Sequence, residues 1–299
     1  MELPDSIKAI GDQFDGGRDI EAAPEFFEAY DVFAAEVAHI VTQPWLVIDH
    51  ASRLTADGDF LRVDIGPRSV VLVRENSERI HALRNACLHA GYRVCEEESG
   101  RVDHLFCQYH GWSYALDGRL TDPMLQPNMT DRSRFRLPHY AMQIQRGLIF
   151  VDPSTAAPLP PEAGPVELGA IPEDLAEREV SRRQRYKTTC NWKRLRQFLW
   201  NAPDLAFGGG GCEAVVECGP MSFVAIRDGE VALVRLTPRY PGQTECDLVQ
   251  FAGAKRRNGA AVDPIGDALR EAGDALAAAP LDRGFYDWYW PLMAPAATA

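Results

Sequence analysis

Two stretches, Arg84-Asn-Ala-Cys87-Leu-His89-Ala-Gly91 and Phe106-Cys107-Gln108-Tyr109-His110-Gly111-Trp112, decide how this chain is read. Each carries one cysteine and one histidine, as Cys-x-His in the first and Cys-x-x-His in the second, with residues 90–106 between them. A glycine follows each histidine closely, so the backbone can turn tightly around whatever the donors hold. A loop with a thiol and an imidazole at its tip is half of a metal site, and two such loops make a four-donor cage. The remaining histidines are as telling. The chain has 7, at His39, His50, His81, His89, His104, His110 and His139, and residues 140–299 contain none.

Two thiolates with two imidazoles are the donor set of a Rieske [2Fe–2S] cluster, in which one iron takes two Cys and the other two His. Zinc accepts the same donors, but zinc fingers group Cys with Cys and His with His, whereas each loop here is mixed. Cys87, His89, Cys107 and His110 are the expected ligands. Trp112 is expected to cover the site and exclude water, or simply to pack in the core. Tyr109, Ser113 and Tyr114 stand near enough in sequence to donate hydrogen bonds toward the sulfurs, or to be structural. His104 reads as an ordinary sheet residue, and Cys95 is surplus to a complete ligand set.

Residues 84–123, through Tyr109-His110-Gly111-Trp112 and Leu116-Asp117-Gly118, resemble the Rieske domain of aromatic-ring-hydroxylating oxygenases, found in their alpha-type subunits. Respiratory Rieske proteins carry an extra disulfide-forming Cys beside each ligand loop. Here Gln108 and Tyr109 fill the second loop, which disfavours that subtype. Asn191-Trp192-Lys193 is similar to the motif that opens the iron-bearing helix of the oxygenase catalytic domain. The resemblance implies an α+β fold: an antiparallel β Rieske [2Fe–2S] domain followed by a C-terminal helix-grip (START-like) α+β domain.

Patterning along the chain gives boundaries. Residues 1–40 look helical, with Phe26, Phe27, Tyr30, Phe33 and Val37 recurring at helical spacing. From Trp45 short β-rich runs alternate with turns such as Asp57-Gly58 and Gly66-Pro67, giving a sheet domain over 41–155. Pro153 to Pro172 holds six prolines and marks a linker, assigned to 156–178. Residues 179–299 would then form a degenerate catalytic-like domain: a strand near 179–189, a helix over 192–200, a glycine loop at 208–211, further strands, and a helix over 264–279.

The resemblance breaks at the second metal site. After Asn-Trp-Lys the family supplies a bridging acid and two His ligands for a mononuclear iron, and a later helix adds a carboxylate. This chain reads Arg194-Leu-Arg-Gln-Phe-Leu-Trp-Asn201-Ala-Pro203-Asp204-Leu-Ala-Phe207 and then four glycines. Asn201 or Asp204 stands where the linking acid would be, as a vestige. A site made from Asp204, Cys212 and Glu213 would be unusual chemistry. No mononuclear iron is expected in this chain, and no catalytic residue is assigned.

The functional expectation is a cluster-bearing subunit of a hetero-oligomeric Rieske oxygenase. It would pass electrons from a reductase or ferredoxin to a homologous, iron-bearing subunit in a trimeric or hexameric ring, or support that subunit structurally. The alternatives are a stand-alone Rieske electron carrier, or a self-sufficient oxygenase with an unusual iron site. With 31 basic against 43 acidic residues the net charge is −12, which argues against nucleic acid as a partner. No apolar run is long enough to span a bilayer and no signal peptide is evident, so a cytoplasmic protein is expected. The basic stretches Arg182-Arg183-Gln-Arg185 and Arg132-Ser-Arg134-Phe-Arg136 read as solvated faces, or as subunit-docking patches. The cysteines outside the two loops read as free, partly buried thiols.

Overall fold

A computed structural model describes residues 3–42, 45–124, 126, 131–153, 168–251 and 264–294. Most of the proline-rich stretch assigned as linker lies outside these. The chain divides into two compact units, one of Pro44–Glu167 with Pro172–Val180, the other of Met1–Gln43, Leu168–Ile171 and Ser181–Ala299. Among the described residues no helix is long and apolar enough to cross a membrane.

The first unit is built from ten short strands: β1 (Leu46–His50), β2 (Asp59–Ile65), β3 (Arg68–Arg74), β4 (Ile80–Arg84), β5 (Ser99–Arg101), β6 (Leu105–Phe106), β7 (Trp112–Tyr114), β8 (Leu120–Pro123), β9 (Ala141–Gln145) and β10 (Leu148–Asp152). They form three antiparallel sheets, ordered β1-β10-β9, β4-β3-β2-β5 and β6-β7-β8. Alternation along β2 and β3 gives the middle sheet two apolar faces. Leu61, Val63, Val70 and Leu72 pack with Leu46, Ile48, Ile149 and Val151 on one side. Phe60, Val71 and Val73 pack with Cys87, Cys107, Trp112 and Tyr114 on the other. The ligand loops therefore rest on a closed core, not on a surface.

The second unit opens with three helices, α1 (Asp5–Asp15), α2 (Glu25–Glu28) and α3 (Tyr30–Glu36), the last running into a π-helical turn over Val37–Val41. Its sheet is antiparallel, ordered β11-β15-β14-β13-β12, from β11 (Val180–Thr188), β12 (Ala214–Glu217), β13 (Ser222–Arg227), β14 (Glu230–Tyr240) and β15 (Gln243–Phe251). Three further helices are α4 (Trp192–Asn201), α5 (Pro264–Ala278) and α6 (Arg283–Met293). Phe223, Ala225, Ala232, Val234, Leu236, Cys246 and Leu248 face the helices and meet Trp192, Leu195, Leu199, Phe285 and Tyr289. A sheet with helices segregated to one face is the α+β arrangement.

Three details differ from the sequence reading. Residues 264–278 are one element only in outline, because Gly273 breaks the helical path (φ 45°, ψ −134°). Helix α6 was not foreseen; it carries Pro291 inside and is capped by Asp282, whose Oδ1 accepts from Phe285 N–H at 2.8 Å. The arginine-rich strand is not a merely solvated face. Arg183 and Arg185 reach the buried Asp247 at 3.3 and 2.8 Å, where Arg235 joins them at 2.5 Å. Those cations hold the Asp247 carboxyl below its usual range against its burial. The other basic stretch is also paired, Arg134 with Asp131 and Arg136 with Asp117.

Candidate metal centre

The two ligand loops share one backbone plan. Cys87 N–H donates to the Tyr92 carbonyl at 2.7 Å, and Gly91 N–H donates back to the Cys87 carbonyl at 2.8 Å. In the second loop Cys107 N–H donates to the Trp112 carbonyl and Gly111 N–H to the Cys107 carbonyl, each at 2.9 Å. Each loop is thus a closed knuckle of the same size, tied at the same offsets from its cysteine. Gly111 has φ 72°, a left-handed backbone that strains any side chain, and a β-carbon there would also press on Met124 Sδ at 2.4 Å.

The knuckles sort their donors by depth. Cys87 and Cys107 are 4% and 1% exposed and lie close enough to interact, whereas His89 is exposed and His110 half-buried. The two imidazoles meet edge-on, with ring centroids 4.6 Å apart and planes at 63°. A site with thiols inside and imidazoles toward solvent matches a two-iron cluster with one Cys-bound and one His-bound iron.

Buried neighbours hold the donors. Tyr114, wholly buried, accepts from Leu88 N–H at 3.0 Å, which leaves its own proton to donate to Cys87 Sγ at 3.1 Å. Burial and the adjoining thiol push the Tyr114 hydroxyl well above its ordinary range, so it stays a donor. Trp112 stacks on His89 with centroids 5.0 Å apart and planes within 8°. Its buried indole N–H has no acceptor among the described residues, and a group with acceptor atoms beside these four donors would account for that. Tyr109 is exposed, lies 4.0 Å from the His110 ring and stacks on Tyr92 at 3.7 Å. Alternation along β7 turns the Ser113 side chain away from the face of Trp112 and Tyr114, and its carbonyl accepts from Thr121 Oγ1 at 3.0 Å.

Sequence reasoning missed Asn85. Buried at 3% exposure, it donates to Ser69 Oγ at 3.1 Å and the Cys95 carbonyl at 2.8 Å, while its Oδ1 accepts from Val94 and Cys95 N–H. It thereby fixes the root of the first knuckle to β3. The only sequence signal is an amide two positions before a ligand. Cys95 stays a core thiol, pushed up to about 12 by burial. The other spare cysteines are unbridged, all buried except half-buried Cys212. His104 is exposed beside β6.

The Asn191-Trp192-Lys193 run is structural in this chain. Asn191 caps α4 by accepting from Lys193 N–H at 2.9 Å, and donates to the carbonyls of Phe27 and Pro241, both at 2.7 Å. Trp192 Nε1 and Lys193 Nζ both reach the buried Glu36, at 2.8 and 2.7 Å. Past the helix, Asn201 donates to Asp282 at 3.3 Å. Asp204 is engaged in closing the glycine loop: its carboxylate accepts from Gly211 N–H at 3.1 Å and its carbonyl from Gly209 N–H at 3.0 Å. Gly208 to Gly211 all have positive φ, from 84° to 100°. Arg227 ties the loop down by donating to the carbonyls of Gly209 and Phe207, and lies 4.7 Å from the Phe207 ring centroid. Glu213 accepts from Asp228 N–H at 3.0 Å. On α4 itself, Arg196 lies between the rings of Trp200 and Trp288 and pairs with Glu217. The region thus carries two fixed guanidiniums.

Comparison with known proteins agrees with the first site. A family profile described as Rieske [2Fe-2S] domain matches residues 44–141. The glycine betaine monooxygenase oxygenase subunit of Chromohalobacter salexigens is 40% identical over 95 residues, 32% of this chain and 21% of that one. The subunit of the same name from Pseudomonas aeruginosa is 29% identical over 164 residues, 54% of this chain and 38% of that one. Biphenyl dioxygenase subunit alpha of Paraburkholderia xenovorans is 31% identical over 119 residues, 40% and 25% of the two chains. The matched part therefore spans only 21% to 38% of the length of the relatives from Chromohalobacter and Pseudomonas.

Among solved structures, the quaternary ammonium Rieske monooxygenase CntA with gamma-butyrobetaine gives a TM-score of 0.65 at 14% identity, covering 87% of this chain and 85% of CntA. Naphthalene 1,2-dioxygenase from Rhodococcus sp. gives 0.60 at 16% identity, covering 98% and 86%. At such identities the shared property is the fold. Residues 44–141 are a Rieske [2Fe–2S] domain homologous to that of oxygenase alpha subunits, and the chain takes the mixed α+β fold of those subunits.

Proposed function

We propose that this chain is the cluster-bearing subunit of a hetero-oligomeric Rieske-type oxygenase in the cytoplasm. It carries electrons from a reductase or ferredoxin toward the mononuclear iron of a homologous partner, and does not activate oxygen by itself. Cys87 and Cys107 would hold one iron of a [2Fe–2S] cluster, and His89 and His110 the other. When bound, a [2Fe–2S] cluster takes up and releases one electron at a time, at a potential raised by its imidazole ligands. The chain's own residues do the rest. Tyr114 donates to Cys87 Sγ and stabilises added negative charge there; Trp112 shields the His89 ring; exposed His89 and half-buried His110 are the edge nearest a redox partner.

The observation that carries the reading is the contrast between the two sites. The first brings two cysteines and two histidines onto two knuckles with the same backbone ties, the two imidazole rings 4.6 Å apart. At the second, the segment after α4 offers Asp204, already bonded to Gly211 N–H, and glycines bound by Arg227. A fixed guanidinium repels a metal cation, and the sequence holds no histidine from residue 140 onward. Support for transfer between subunits comes from the CntA fold relative, whose structure is described as giving insight into inter-subunit electron transfer.

The test is iron and sulfide analysis with electron paramagnetic resonance on the chain expressed alone. Two irons and two sulfides per chain with a reducible Rieske-type signal are expected, followed by recovery of a homologous iron-bearing chain on co-purification. A third iron per chain, or a cluster that cannot be reduced, overturns the proposal.

A further inference from the structure

A cavity of about 490 Å³ opens in the Rieske unit beside the first ligand knuckle. Its wall includes Arg68 and Ser69 from the start of β3, Arg84 and Asn85 from the end of β4 and beyond, Arg93, and Tyr140. Antiparallel pairing creates the convergence: Val70 stands opposite Arg84, so the start of one strand meets the end of the other. Among the described residues, no acidic residue lines the space. Arg93 shares Asp64 with Arg62. Arg68 and Arg84 have no carboxylate partner among the described residues. That is unusual for a chain of net charge −12, in which acidic residues outnumber basic ones.

The guanidiniums of Arg68 and Arg84 around one concave space repel one another unless an anion lies between them. Each is also a rigid fork of N–H donors matched to two oxygens of a phosphate or carboxylate. The frame is fixed, since Asn85 ties β3, Val94 and Cys95 together. Tyr140 shares the space: the charges of Arg68 and Arg84 act on its hydroxyl, opposing the upward push of burial. Gly91 of the knuckle also lines the wall, and Asn85 precedes Cys87 by two residues.

We propose that this cavity binds a multiply charged oxyanion, of phosphate or polycarboxylate type, and that its occupancy sets the electrostatic field at the first ligand knuckle. An empty cavity presents uncompensated positive charge beside Cys87 and favours the reduced site. An oxyanion cancels that charge and makes reduction harder. The inference is independent of any partner subunit, because both effects are read on the isolated chain.

The experiment is calorimetric titration of the cluster-loaded chain at low ionic strength with inorganic phosphate and, separately, citrate, with sodium chloride at matched ionic strength as control. One saturable site per chain is expected for at least one oxyanion and none for chloride. The tighter of the two identifies the chemical source. Arg68→Gln and Arg84→Gln should each weaken binding about tenfold or more, the loss of one charge-assisted contact. Arg134→Gln, an exposed arginine outside the cavity, should bind as the parent does. At an oxyanion concentration that just saturates the parent, the midpoint potential of the parent should fall and that of Arg84→Gln should fall less. If Arg68→Gln loses the cluster absorbance, exposed Arg84 carries the test alone. Absence of saturable binding by both oxyanions, or equal affinity in parent and Arg84→Gln, overturns the proposal.

Discussion

Lys193 and Glu36 meet at 2.7 Å with both side chains only 1% exposed. Trp192 and Tyr289 also donate to the Glu36 carboxylate, at 2.8 and 2.9 Å, and the Lys193 ammonium lies 4.3 Å from the Phe26 ring centroid. The run that resembles an oxygenase motif therefore welds the amino-terminal helices to the sheet domain. Removing one member of a buried pair leaves the other charge uncompensated, at a cost of about 3–5 kcal/mol. Lys193→Met should lower the unfolding temperature of this unit sharply and leave the Rieske spectrum of the folded protein unchanged. The double variant Lys193→Met/Glu36→Gln should recover part of the loss. Thermal unfolding followed by far-ultraviolet circular dichroism checks both, and a double variant no better than the single removes the pairing argument.

Tyr114 gives a second prediction. Its hydroxyl joins Cys87 Sγ and Leu88 N–H, so Tyr114→Phe removes a hydrogen bond to sulfur and orphans a backbone donor. The cluster should assemble with a lower potential, because a donor to sulfur stabilises the added electron. The chain should lose about 1–3 kcal/mol of stability for the unsatisfied N–H. Redox titration of parent and variant, with equal iron content verified, decides the matter; an unchanged potential would mean that Tyr114 only packs.

How much of this was legible in the sequence follows from how local each constraint is. The ligand knuckles were readable because a cluster demands fixed donor types at fixed short spacings. The strands β2 and β3 were readable because each is a run of β-formers ended by a turn. Helix α6 was not, since Pro291 and its crowd of aromatics, from Phe285 to Trp290, obscure both propensity and period. Long-range pairs left no trace. Arg185 finds Asp247 62 positions away, and Glu36 finds Trp192 156 positions away. A charged strand looks solvated until its partner strand is known. Asn85 was passed over for a similar reason: one buried amide joins three segments, and no pattern announces it.

Asp59 carries a pH prediction. It accepts from Thr55 N–H and Ala56 N–H at 2.9 and 2.8 Å and from Arg101 at 2.7 Å. The Arg101 guanidinium and these amides hold its carboxyl down at about 2, below its ordinary 3.8. A carboxylate depressed in the folded state contributes stability that is complete above its unfolded value and is lost as pH falls toward the folded one. Asp59→Asn should therefore be less stable than the parent at neutral pH, by about 1 kcal/mol given the exposure of Arg101. The gap should narrow as pH drops below about 4. Chemical denaturation of both proteins at pH 7, 5 and 3.5 measures it, and a gap that widens toward acid contradicts the assignment.

His110 offers the sharpest test of the ligand set. Its ring meets His89 edge-on at 4.6 Å from the second knuckle, whose hydrogen bonds use the backbone of Cys107, Gly111 and Trp112 and not the imidazole. His110→Cys should accordingly preserve the loop and supply a thiolate where a neutral imidazole stood. The extra negative charge opposes reduction, so the potential should fall toward the all-thiolate range, a shift on the order of hundreds of millivolts. The visible spectrum should move in the same direction, toward that of an all-cysteine cluster. A cluster with unchanged potential would exclude His110 as a ligand. Complete loss of iron in His110→Cys, together with retained iron and parent potential in His110→Ala, would assign the outer position to another donor.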